Sequence, residues 1–128
     1  MNKKYLIDTS AFIMAIYQEN SDIDFKKYFD HSVMHHMNVS EAIAVLIRDG
    51  MPLNLAEEVI QSTISETITT NFEEASLAAC IRVENKQFGI STGDSFCLAA
   101  AKLLNYPIIT ADKIWTELKL DIEIICVR

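Results

Sequence analysis

Short apolar runs alternating with amphipathic stretches of helical period predict an α/β fold. The expected form is a three-layer sandwich, with a mostly parallel five-stranded sheet and helices on both faces. Two observations carry this expectation. Apolar residues recur at i, i+3, i+4, i+7 and i+8 in Val39, Ala42, Ile43, Leu46 and Ile47, and again in Phe96, Ala99, Ala100, Leu103 and Leu104. Half of the 128 residues are hydrophobic, and Gly and Pro number only 3 and 2. Such a chain can bury a core, and no linker, repeat or disordered tract divides it, so one domain over residues 1–128 is expected.

Taken in order, Tyr5-Leu6-Ile7 reads as a strand that turns at Asp8-Thr9-Ser10 into a helix carrying Phe12, Ile13, Ile16 and Tyr17. Asp24 to Phe29 is a second, short helix. Val33 to Met37 is a strand, and the stripe from Val39 to Ile47 is the helix after it, stopped by Gly50 and Pro52. Leu55, Val59, Ile60 and Ile64 make the next helix, with Asn54 as its N-cap. Thr67-Ile68-Thr69-Thr70 is β-branched throughout and reads as a strand. Asn71 caps a helix running to about Gln87, ended near Gly89. The stripe from Phe96 to Leu104 follows, then strands at Pro107–Thr110 and Ile122–Val127.

Lys and Arg number 11 against 18 Asp and Glu, a formal charge of −7. This excludes a protein that grips nucleic acid with a broad basic face, but not one that meets phosphate through bound cations. Cys80, Cys97 and Cys126 form no C-x-x-C pair, so zinc-knuckle and thioredoxin-type motifs are absent, and buried, reduced thiols are expected. The start, Met1-Asn2-Lys3-Lys4, resembles a signal peptide until Asp8 breaks the apolar run. No stretch approaches the 18 or so apolar residues of a membrane span. A cytoplasmic protein without membrane contact is the expectation.

In open parallel sheets the ligand crevice lies beyond the carboxyl ends of the strands. Four acids stand there: Asp8 after the first strand, Glu41 in the helix after the second, Asp94 at the start of a patterned helix, and Asp112 after Ile108-Ile109-Thr110. Two carboxylates about 4 Å apart repel by about 4 kcal/mol at an effective dielectric near 20. A cluster of four therefore calls for protonation or for cations. With oxygen donors and no converging His or Cys, Mg²⁺ or Mn²⁺ fits better than zinc. A plainer role competes. Asn38-Val39-Ser40-Glu41 and Ser91-Thr92-Gly93-Asp94 both have the form of capping boxes, and acids in a first helical turn are favoured by the helix dipole alone.

Leu6-Ile7-Asp8-Thr9-Ser10-Ala11, Ser40-Glu41-Ala42, the segment from Gly89 through Asp94 and Cys97 to Ala101, and Tyr106 to Asp112 together resemble the PIN-domain ribonucleases, in particular the VapC-like toxins of toxin–antitoxin pairs. The likeness runs through essentially the whole chain. It implies a PIN-like sheet with the first strand central and an acidic metal site of Asp8, Glu41, Asp94 and Asp112. Ser10 and Thr110 would be hydroxyls beside the acids or facing the substrate. It also implies one or two Mg²⁺ or Mn²⁺ ions, endonucleolytic RNA cleavage leaving 5′-phosphate and 3′-hydroxyl ends, and an antitoxin partner. His35 and Asn38 depart from it, standing where such toxins often carry Ser or Thr.

Further readings concern the remaining side chains. His31, His35 and His36 cluster, but in a strand His35 and His36 face opposite ways, so a structural role is expected, with His35 lining the crevice as the alternative. Trp115 reads as core, and Lys113 as a residue beside Asp112 that could touch phosphate. Apolar surface around Ile43–Ile47 and Leu55–Ile64 predicts a homodimer or antitoxin contact. A haloacid-type phosphatase would need a second acid where Ser10 stands, and a receiver domain an acidic pair and a late lysine. An inert PIN-like module that binds protein or RNA, its acids only capping helices, is the rival of the enzyme.

Overall fold

The computed structural model describes residues 3–17 and 24–128; Met1 and Asn2, the first residues of the leader-like start, lie outside them. Five strands, β1 (Tyr5–Ile7), β2 (Ser32–His35), β3 (Glu66–Ile68), β4 (Ile108–Thr110) and β5 (Ile124–Cys126), form one sheet in the order β3-β2-β1-β4-β5. Every pairing is parallel, with Leu6 opposite both Val33 and Ile108. The sheet is thus parallel throughout, and β1 is central.

Strands this short and apolar are buried on both faces because crossover helices cover both. Ile7, Met34 and Ile109 point to a core shared with Phe12, Met14, Leu46 and Ile60, on helices α1 (Thr9–Ile16), α3 (His36–Arg48) and α4 (Leu53–Thr63). Phe25, Tyr28 and Phe29, on or beside the short helix α2 (Lys26–Phe29), pack at its edge. Their neighbours Leu6, Val33 and Ile108 point the other way. They meet Ala78 and Ile81 of α5 (Phe72–Glu84), Cys97 to Ala101 of α6 (Thr92–Leu104), and Trp115. Trp115 is core, as expected, on the 3₁₀ turn Lys113–Glu117.

Several boundaries differ from the pattern, each for a local reason. β2 stops at His35 because the His35 imidazole itself caps α3, its Nδ1 accepting the Met37 N–H at 3.0 Å. The helix therefore begins at His36, and Asn38 to Glu41 lie inside it rather than forming a capping box. Since β2 ends there, the ladder with β3 ends at the His35–Ile68 pair, and Thr69 and Thr70 fall outside the strand. α4 is opened by Pro52, whose carbonyl accepts the N–H groups of Leu55 and Ala56, so Asn54 is not the cap. α5 ends at Glu84, where Asn85 turns the chain into the 3₁₀ turn Lys86–Phe88, and Gly89 closes it with φ of +65°. Asn71 and Ser91 cap α5 and α6 as expected, Ser91 in a capping box with Asp94. The three cysteines are unpaired, but only Cys97 is buried; Cys80 lies exposed on the outer face of α5.

Candidate metal centre

The carboxyl ends of β1 and β4 meet side by side at the centre of the sheet, and Asp8 sits between them. It is the N-cap of α1, its Oδ1 accepting the Ala11 N–H at 2.8 Å. Thr110 Oγ1 donates to its Oδ2 at 2.6 Å, and Ser10 Oγ lies 2.9 Å from both carboxylate oxygens. Each hydroxyl is itself fixed by the backbone. Ser10 Oγ accepts the Ala111 N–H and Thr110 Oγ1 accepts the Asp112 N–H, both at 3.0 Å. With an acceptor site already used by an amide, each hydroxyl turns its proton to Asp8.

Asp8 is 2 % exposed, and burial raises its pKa from 3.8 to about 7 despite these hydrogen bonds; the charge of Asp94 adds to the rise. Asp94, third residue of α6, is also raised, chiefly by burial and further by the charges of Glu41 and Asp112. Asp112 follows β4 and its Oδ1 accepts the Ile114 N–H at 3.0 Å. Three of the four acids thus do cap turns of helix. Glu41 does not: it is the sixth residue of α3, and its Oε1 accepts from Asn38 Nδ2 at 2.9 Å and Thr9 Oγ1 at 3.0 Å.

All four acids line one open cavity of about 520 Å³, together with Thr9, Ser10, Ile13, Met14, Val45 and Arg128. Among the described residues, no three His, Cys, Asp or Glu side chains stand close enough to grip an ion as they are now turned. Asp8, Asp94 and Asp112 each accept instead from a backbone N–H at the start of a helical turn. The donor set still fits a hard divalent ion, being all oxygen, partly buried and charged against itself. Thr110 is a strand residue of that site, not of its lining surface.

Three expectations outside the acids resolve plainly. His35 does not line the cavity; it is buried, its Nε2 2.5 Å from Oε1 of Glu74 on α5 and its ring 5.7 Å from that of Phe96. His36 is exposed and reaches Thr67. Lys113 is not part of the cavity wall. Sequence reasoning did not single out Thr9, nor the close approach of Glu41 to Gly93; the signals were the helical spacing of Asn38 and Glu41 and the glycine directly before Asp94.

The PIN domain profile matches residues 5–120, a span that includes all four acids. The chain belongs to the PIN-domain family. No curated protein matches it in sequence. Solved PIN-containing relatives resemble it in fold at low identity. VapBC2 from Rickettsia felis, bound to a DNA fragment from its promoter, superposes with a TM-score of 0.75 at 13% identity, over 95% of this chain and 97% of that one. DNA-bound VapBC from Salmonella typhimurium gives 0.74 at 16%, over 97% and 98%. VapBC-5, of a toxin–antitoxin family in Mycobacterium tuberculosis, gives 0.67 at 18%, over 100% and 99%. The matched span thus carries the PIN fold with the acidic cavity at the carboxyl ends of its central strands.

Proposed function

We propose that this PIN domain, as a single unit, is a Mg²⁺- or Mn²⁺-dependent endoribonuclease and the toxin of a type II toxin–antitoxin pair. The observation that carries this reading is the convergence of Asp8, Glu41, Asp94 and Asp112 on one cavity at the carboxyl ends of β1 and β4. Asp8, Asp94 and Asp112 would hold one or two ions, with Glu41 as the fourth ligand or the group that takes a proton from the attacking water. A bound divalent ion supplies a more acidic water and charge stabilisation at a phosphodiester. Ser10 and Thr110 keep Asp8 in place through hydrogen bonds of 2.9 and 2.6 Å. Ile13, Met14 and Val45 give a nucleobase an apolar wall in the same cavity, and Arg128 brings a guanidinium for backbone phosphate.

Partners follow from the same reading. Ile47, Leu53 and Leu55 leave 44, 55 and 43 % of their surface exposed on α3 and α4, which supports contact with an antitoxin segment or a second copy. Among the described residues no helix is long and apolar enough to cross a membrane, in keeping with work in the cytoplasm.

The test is cleavage of cellular RNA by the purified chain with Mn²⁺ or Mg²⁺, against EDTA and an Asp112→Asn variant. Asp112 is exposed, so this change leaves the melting temperature nearly as it was. Cleavage that needs the ion and falls by about 100-fold or more in the variant is expected. Divalent ions that leave the melting temperature of the native chain unmoved would favour the inert binding module instead.

A further inference from the structure

Glu41 is held by more than its own helix. Asn38, one turn earlier on α3, is fully buried and donates one amide N–H to Glu41 Oε1 at 2.9 Å and the other to Thr9 Oγ1 at 3.2 Å. Thr9, on α1, donates its hydroxyl to the same Oε1 at 3.0 Å. The three side chains close a triangle that ties α1 to α3. The amide is oriented this way because the reverse orientation would set its oxygen against Glu41 Oε1. The consequence is recorded in the structure: Asn38 Oδ1 is buried without a hydrogen-bond partner among the described residues. An unmade hydrogen bond in the interior is a cost that natural cores rarely carry without a functional reason.

The other side of Glu41 is fixed sterically. A Cβ on Gly93 would stand 2.5 Å from both carboxylate oxygens, so the carboxylate rests where any other residue at position 93 would place its side chain. Gly93 has no positive φ, so its role here is space and not backbone freedom. Of the carboxylate oxygens, Oε1 accepts twice, while Oε2 has no hydrogen-bond partner among the described residues. Glu41 thus enters the cavity wall with one oxygen tied down and one available.

We propose that Asn38 and Thr9 are positioning residues that, with the gap at Gly93, clamp Glu41 so that its Oε2 serves as a ligand to the divalent ion. The inference rests on the metal reading above and adds the parts that set its affinity. Partners of ligating carboxylates commonly change metal affinity by about 10- to 100-fold when removed.

Mn²⁺ binding to the full chain, followed by calorimetry or electron paramagnetic resonance, tests it without reference to any RNA. Asn38→Ala and Thr9→Val should each weaken Mn²⁺ binding by about tenfold. Gly93→Ala approaches the clamp from the opposite side. The three atoms nearest the new methyl all belong to the Glu41 carboxylate, the end of a flexible side chain, and alanine suits a helix better than glycine, so this variant should keep its fold while Glu41 is displaced. It should lose Mn²⁺ affinity to a similar degree at an unchanged or higher melting temperature. A residue that merely braces the fold would move the melting temperature and not the affinity. In a Glu41→Gln background, Asn38→Ala should add nothing further, because Asn38 acts only through the Glu41 carboxylate. Unchanged Mn²⁺ affinity in Asn38→Ala and Gly93→Ala, or an undiminished effect of Asn38→Ala in the Glu41→Gln background, overturns the clamp alone. Absence of Mn²⁺ binding by the unaltered chain overturns the metal reading, and the clamp with it.

Discussion

Asp8→Asn should make the ion-free protein more stable at neutral and alkaline pH, although it would remove the central carboxylate of the proposed metal site. The native Asp8 carboxyl has its pKa raised from 3.8 to about 7, chiefly by burial. A carboxyl whose pKa is higher folded than unfolded binds its proton more tightly in the folded state. Its contribution to stability is therefore complete below about pH 4 and is lost as pH rises through 7. The gap from 3.8 to about 7, at about 1.4 kcal/mol per pH unit, amounts to about 4 kcal/mol by pH 8. Asn carries no charge and escapes this loss. It does place an NH₂ where Asp8 had an acceptor for Thr110, at a cost of about 1 kcal/mol. The balance is a variant less stable by about 1 kcal/mol at pH 4 and more stable by about 3 kcal/mol at pH 8, or about 10 °C in melting temperature for a domain of this size. Denaturant titrations in EDTA from pH 4 to pH 9 read this directly. Adding Mn²⁺ at pH 8 should restore stability to the native chain and not to the variant. A stability difference that stays flat with pH, or a variant weaker than the native chain at pH 8, would refute the account of Asp8 as a buried carboxylate waiting for a cation.

Thr110→Val and Ser10→Ala remove donors that lower the Asp8 pKa, Thr110 having the larger effect. Each should push that carboxyl higher still and destabilise the ion-free chain more at pH 8 than at pH 4, by about 1 kcal/mol, measured by the same titrations. His35→Ala leaves Glu74, only 5 % exposed, without its partner and strips the cap from α3. A loss of about 3–5 kcal/mol in unfolding free energy is expected, largely recovered when Glu74→Gln is added so that no buried carboxyl group is left without its partner.

The layers of the fold were legible because they rest on periodicity. The short apolar runs Tyr5–Ile7 and Pro107–Thr110 read as strands and the stripes at Val39–Ile47 and Phe96–Leu104 as helices facing a core, whereas the central place of the first strand came from the family resemblance and not from the run itself. Boundaries were less legible where an unusual group did the capping. Histidine is not a common N-cap, so the ring of His35 taking the Met37 N–H left no local signal, and the start of α3 was read three residues late. That single displacement hid the structural status of Glu41, which then looked like the end of a capping box. The four acids were found by their position after strands, a rule of topology and not of local sequence. Their supports were harder to see. Asn38 and Gly93 reach Glu41 from the same helix and from a helix more than fifty residues away, and only the second contact needed the tertiary structure.

Capping and metal binding looked like rival explanations for the acids, but on the proposed reading they are compatible uses of the same carboxylates. A helix N-terminus offers unpaired N–H groups and a partial positive charge, which hold a carboxylate at the end of a strand without any ion present. Asp8 on Ala11, Asp94 on Ser91 and Asp112 on Ile114 are held in this way. The backbone offsets only part of their repulsion, as the raised pKa values of Asp8 and Asp94 record. A divalent ion offsets the remainder. Capping therefore holds these three carboxylates at one cavity while leaving part of their repulsion unrelieved. On the proposed reading a net charge of −7 is no bar to a polyanionic substrate, because four of the 18 acids line one cavity, where bound cations would reverse the local field.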